Sequence, residues 1–142
     1  LSKSRVIVIL RNIELNQCEQ FVNLLAENEL ETIEITLNSP DPLSCIELIS
    51  KKFPKMNLGA GTVTDINKIS RLKDLGVKFI VSPNTNPEVI EESLKNELIP
   101  IPGFFTASEG FNAIKYGCIK LNIFEILAIH TVSFLVFIRK VC

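Results

Sequence analysis

Three times in succession the chain writes the same phrase: an apolar run, a break rich in Pro, Gly, Ser or Asn, and a stretch with helical spacing. The third copy, VKFIVSPNTNPEVI at residues 77–90, turns at Ser82-Pro83-Asn84 before the helix-like segment, and the other two occupy residues 31–53 and 56–75. The same reading extends to the rest of the chain. Strands are expected over Arg5–Leu10, Thr32–Leu37, Met56–Ala60, Val77–Val81 and Leu98–Ile101, with a sixth beginning at Cys118–Leu121. Helices are expected over Leu15–Asn28, Leu43–Phe53, after a cap at Thr64 or Asp65, over Pro87–Lys95, and over Thr106–Tyr116 before Gly117. No two-residue hairpin turn joins any two strands. Strands alternating with helices of this length make βαβ units, so the class is α/β with a parallel sheet.

At 142 residues the chain is long enough for one domain with a real core. Its 15 basic and 16 acidic residues are well mixed, without a basic stripe, which argues against nucleic acid as a partner. Cys18, Cys45, Cys118 and Cys142 are widely spaced and form no C-x-x-C pair, so reduced thiols in a cytoplasmic protein are expected rather than a disulfide framework or a metal site. The opening Leu-Ser-Lys-Ser-Arg leads directly into a strand, with too few apolar residues for a signal peptide.

Two parallel-sheet folds compete: an open doubly wound sheet and a (β/α)8 barrel. Strand polarity separates them. In Thr32–Leu37, alternation sets Ile33, Ile35 and Leu37 toward a helix layer and Thr32, Glu34 and Thr36 toward the opposite side. Lys120 opposes two apolar neighbours in the same way, and Arg11 shares the face of Ile7 and Ile9. An open sheet covered on both faces has little use for such charges, whereas a barrel accommodates them at its C-terminal mouth. Glu34 could also be a solvated carboxylate, and Lys120 an edge lysine that resists aggregation. Together they could do specific chemistry. A lysine that loses part of its preference for charge condenses with a ketone, and the iminium draws electrons from a neighbouring carbon–carbon bond. A nearby carboxylate moves the protons, and no metal is needed. Gly59-Ala60-Gly61-Thr62 is small enough for close backbone approach by a ligand, although such a motif alone is most often just a tight βα turn. Pro83 and Asn84 likewise read either as ligand-facing backbone or as helix-start residues.

The segments ILRNI, IEITLNSP, LGAGTVTD, FIVSPNTNPEVI, PIPGFFTASE and GCIKL occur in an order that resembles the 2-keto-3-deoxy-6-phosphogluconate aldolases and their relatives, over roughly residues 5–121. The resemblance implies a (β/α)8 barrel, usually a homotrimer, acting on a phosphorylated keto sugar acid and pyruvate without a cofactor. It implies that Lys120 is the Schiff-base residue and Glu34 the catalytic carboxylate, with Arg11 and Thr62 contacting substrate. Asn38 and Asn84 stand where the gluconate aldolases typically carry arginine and glycine, and look more like the 2-dehydro-3-deoxy-6-phosphogalactonate branch.

After Leu121 the chain departs from this pattern and reads NIFEILAIHTVSFLVFIRKVC. The family's Phe-Pro motif and Gly-rich phosphate segment are absent, so residues 122–142 are expected to form an atypical apolar tail and the barrel to hold about six strands. The uncharged run at 126–138 is shorter than the ~20 residues of a spanning helix, and His130 within it reads as incidental. Two functions follow. One is an aldolase that cleaves the phosphorylated sugar acid; the other is an inactive aldolase-like protein that acts through association.

Overall fold

The structure, a computed structural model, describes residues 6–123. The expectations for Arg5, for His130 and Cys142, and for most of the apolar tail lie outside the described residues.

Six parallel strands form one sheet in chain order. They are β1 (Val8–Leu10), β2 (Thr32–Thr36), β3 (Asn57–Gly61), β4 (Phe79–Ser82), β5 (Ile99–Phe104) and β6 (Asn122–Ile123). Between them run α1 (Leu15–Glu27), α2 (Pro42–Lys52), α3 (Ile69–Asp74, preceded by a 3-10 turn at Ile66–Lys68), α4 (Pro87–Lys95) and α5 (Ala107–Lys115). Sequential strand order with a helix at every crossover is barrel winding, and the six units make an incomplete barrel.

Local chemistry sets the helix starts. Pro42 and Pro87 occupy first-turn positions, where a missing N–H costs nothing. Asp65 accepts from the Asn67 N–H and Asn86 from the Glu88 N–H. Thr106 and Glu109 form a reciprocal capping box on α5. At the other end, Gly117 at φ 96° takes the left-handed backbone that stops α5.

The two faces of the sheet divide as the alternation in β2 predicts. Ile33 and Ile35, with Leu58, Ala60 and Ile80, pack outward against Cys18, Val22, Ile46, Ile49, Ile69 and Leu72 of the helices. Ile7, Phe79, Val81 and Ile101 form a separate cluster on the concave side. Cys18, Cys45 and Cys118 are buried as free thiols.

The sixth strand departs from expectation. It begins at Asn122 rather than Cys118, and pairs Gly103 with Asn122 and Phe104 with Ile123. β5 supplies the reason. The Ile99 N–H donates to the Lys78 carbonyl on the β4 side. Alternation then turns Pro100 and Pro102 toward β6, and neither has an N–H to give. Pairing on that side starts only past both prolines. β5 in turn runs on to Phe104, beyond its expected end at Ile101, because β4 pairs with it as far as Pro102 and β6 takes over at Gly103 and Phe104.

Exposed apolar side chains gather on the two outer units. Val6, Leu15, Phe21 and Leu24 lie on the first, and Phe105, Phe111, Ile114, Ile119 and Ile123 on the last. No helix among the described residues is long and apolar enough to cross a membrane.

Candidate active site

Glu34 lies on the concave face, on the second of the six strands. Its strand neighbours in register are Ile9 on β1 and Gly59 on β3. The carboxyl leans toward the C-terminal end of the sheet and lies over Gly61, where a Cβ would collide with Oε1, Cδ and Cγ. The ring of Phe79 occupies the equivalent space over Gly59. The two glycines therefore make room for protein side chains, where the sequence had suggested a ligand. Glu34 is 3% exposed, and Oε2 has no hydrogen-bond partner among the described residues. Burial pushes its pKa up to about 7, against the opposing pull of the Arg11 guanidinium. A carboxyl with that pKa exchanges protons readily near neutrality, as a general acid–base group must.

Gly61→Ala is expected to evict the carboxyl toward the mouth. The crowding should cost about 2 kcal/mol of stability, a usual value for overpacking. The Glu34 titration should fall toward the ordinary carboxylate range as the group reaches water. Denaturant melts and carbon-13 NMR of the labelled carboxyl check this, and an unshifted titration would show that the group has another buried place to go.

Five of the expected site residues follow the C-terminal ends of the first four strands, which in a parallel sheet all open on one mouth. Arg11 follows β1, Asn38 follows β2, Thr62 follows β3, and Pro83 and Asn84 follow β4. Arg11 and Glu34 are brought together electrostatically. Thr62 holds φ at 59°, a left-handed conformation that a β-branched residue rarely adopts and that marks a constrained turn at the mouth. The Pro83 carbonyl packs where a side chain on Gly103 would stand, and the Ser82 hydroxyl donates to the Asn84 carbonyl at 2.9 Å. The capping role open to Asn84 falls instead to Asn86, leaving Asn84 exposed at the mouth.

Lys120 lies two residues before β6 and is half-buried. Leu121 packs outward with Ile90, Ala113 and Cys118, so Asn122, which is buried, faces the concave side. Lys120 itself belongs to the irregular segment between α5 and β6, after a bend at Ile119. Burial lowers its pKa from the usual lysine value, which favours the neutral, nucleophilic amine. Among the described residues no hydrogen bond or ion pair joins Lys120 to Glu34, whose Oε2 remains unpaired. Among the described residues no group of three His, Cys, Asp or Glu side chains is set to hold a metal ion.

The sequence reading missed Gly61 as the seat of Glu34, and it missed Thr36 and Ser39. These two are buried polar residues whose hydroxyls lie 3.1 Å apart at the end of β2. An apolar-patterned strand that closes on Thr-Leu-Asn-Ser held the only sequence signal for that pair.

Comparison with known proteins agrees with this geometry. The model of the family described as "KDPG and KHG aldolase" matches residues 1–139. The chain is 39% identical over 120 residues to a probable 2-dehydro-3-deoxy-6-phosphogalactonate aldolase of Rhizobium meliloti, covering 84% of this chain and 57% of that one. It is 33% identical to the 2-dehydro-3-deoxy-6-phosphogalactonate aldolase of Escherichia coli K12, covering 87% of this chain and 60% of that one. The chain thus spans somewhat more than half the length of these relatives. Among solved structures, one described as native KDPGal superposes with a TM-score of 0.82 at 32% identity, covering 85% of this chain and 59% of that chain. The KDPG aldolase of Legionella pneumophila, captured with pyruvate as a covalent carbinolamine, superposes with a TM-score of 0.81 at 27% identity, covering 88% and 61%. In sequence, strand order and overall shape, this chain belongs to the KDPG and KHG aldolase family.

Proposed function

We propose that this chain carries the reacting groups of a class I aldolase, which cleaves 2-dehydro-3-deoxy-6-phosphogalactonate to pyruvate and glyceraldehyde 3-phosphate. The observation that carries the reading is Glu34: a buried carboxyl on the concave face with a pKa of about 7 and an unpaired oxygen.

The neutral Lys120 amine adds to the C2 ketone, and with one proton taken up from solvent water leaves, giving the iminium; the final hydrolysis releases that proton again. Glu34 accepts the C4 hydroxyl proton as the C3–C4 bond breaks. The bonding electrons pass to the iminium nitrogen, and the aldehyde departs from an enamine. Glu34 then returns its proton to C3, and water hydrolyses the resulting iminium to pyruvate and free Lys120. The iminium is the electron sink, so the reaction calls for no cofactor. Arg11 offers a guanidinium suited to the substrate carboxylate, while Thr62, Asn38, Pro83 and Asn84 line the mouth through which the sugar chain passes. Apolar side chains on both outer units are surfaces that association covers, which supports a homo-oligomer, a trimer by family resemblance.

Borohydride reduction in the presence of pyruvate tests the chemistry. The expected product is a reduced adduct on the peptide that contains Lys120, and its absence there overturns the reading. The epimer follows from Asn38 and Asn84, with support from relatives named for the galactonate substrate. The galacto epimer is expected to be cleaved faster than the gluco epimer in a coupled pyruvate assay. Equal or inverted rates would remove those two asparagines as the deciding residues.

A further inference from the structure

The loop that carries Arg11 is tied to the strand that carries Glu34 through one hydroxyl. The Asn12 N–H donates to Ser39 Oγ at 3.0 Å. Ser39 Oγ in turn lies 3.1 Å from Thr36 Oγ1, and the Ser39 N–H donates to the Thr36 carbonyl at 3.0 Å. Thr36 is wholly buried and Ser39 is 7% exposed, so both hydroxyls depend on each other and on Asn12 rather than on water. Thr36 stands two residues beyond Glu34 on the same face of β2. Asn12 directly follows Arg11, and its φ of 55° is a left-handed conformation, which asparagine tolerates better than most residues.

We propose that Ser39 is a positioning residue of the active site, whose hydroxyl clamps the β1–α1 loop to β2 and so fixes the Arg11 guanidinium against the Glu34 carboxyl. The links run from Glu34 along β2 to Thr36, through Ser39 to Asn12 and so to Arg11, whose guanidinium acts on the carboxyl through space. The functional part of this inference rests on the aldolase reading, but the positional part does not. The neighbours of Glu34 are few. β3 presents Gly59 and Gly61 to it, β1 presents Ile9 in register, and Lys120 on the β6 side feels burial alone. Arg11 is the charged group that acts on the carboxyl. Loosening Arg11 therefore has a defined consequence: the carboxyl loses its opposing cation, and its titration moves upward.

The test is the titration of Glu34 by carbon-13 NMR, with a pH profile of kcat/KM beside it, in Ser39→Ala and Ser39→Thr. In Ser39→Ala the Glu34 midpoint is expected to rise by roughly half a unit to one unit, a part of the effect of an adjacent opposite charge. The corresponding limb of the pH profile should move with it, and KM should rise more than kcat falls. Ser39→Thr keeps the hydroxyl and is expected to restore the wild-type midpoint. A Ser39→Ala protein that melts lower but titrates as wild type would reduce Ser39 to a structural residue and overturn the proposal, as would an equal shift in Ser39→Thr. If Ser39→Ala does not fold, Thr36→Val, which removes the other hydroxyl of the pair, should move the midpoint in the same direction, and no movement there overturns the proposal too. Failure of borohydride trapping in the wild-type chain would sink the aldolase reading while leaving the NMR comparison informative.

Discussion

Lys120→Arg is expected to abolish the borohydride-stable pyruvate adduct and all measurable cleavage, while the chain remains folded. Arginine keeps the positive charge at a half-buried position, but its guanidinium does not deprotonate in a protein and cannot form an imine. The structure makes the alternative lysines poor substitutes. Lys78 sits before β4, at the opposite end of the sheet from the mouth, and donates to the Met56 carbonyl at 2.9 Å. Lys115 closes the last turn of α5 on the outer, exposed side. Peptide mapping of the reduced protein gives the answer. An adduct that persists in Lys120→Arg would assign the chemistry to another lysine and displace the site described above.

Glu34→Gln is expected to separate stability from activity, with opposite signs. Turnover should fall by about 10²- to 10⁴-fold, the usual worth of a positioned acid–base group. Stability should change in a pH-dependent way. Burial raises the folded-state pKa of Glu34 from 4.5 to about 7, so the native chain holds this proton more firmly than the unfolded chain does. As pH rises through that window the unfolded state ionises first, and stability is lost until the native carboxyl ionises as well; above it the loss levels off. A neutral glutamine avoids the loss. At pH 8 the variant should be more stable than wild type by an amount of order 2 kcal/mol, and at pH 4 the two should be nearly equal. Denaturant melts at both pH values check this. A variant no more stable than wild type at pH 8 would mean that the ionised carboxylate is better solvated than its surroundings indicate.

Most of the architecture could be read from local pattern because its causes are local. α4 occupies Pro87–Lys95 as expected, since a helix start depends on its own first turn. β6 was misplaced by four residues, because its start depends on prolines in a different strand. The inward aim of Glu34 was legible in Thr32–Leu37, because side-chain alternation is a property of a single strand. The purpose of Gly59 and Gly61 was not, because the groups that fill their space, Phe79 and Glu34, belong to other strands.

The βαβ winding, the faces of the strands and the residue types that could do imine chemistry are legible in the chain's local pattern, since each is a matter of period, turn chemistry or functional group within one segment. The burial that pushes the Glu34 pKa up to about 7, and the opposing charge of Arg11, arise from packing between strands. So does the hydrogen bond by which Ser39 reaches back to Asn12 across 27 residues of chain. Parallel strands meet only after a helical crossover has brought them side by side. Burial, electrostatic partnership and hydrogen bonds between loops therefore arise from neighbours that no local stretch of sequence contains.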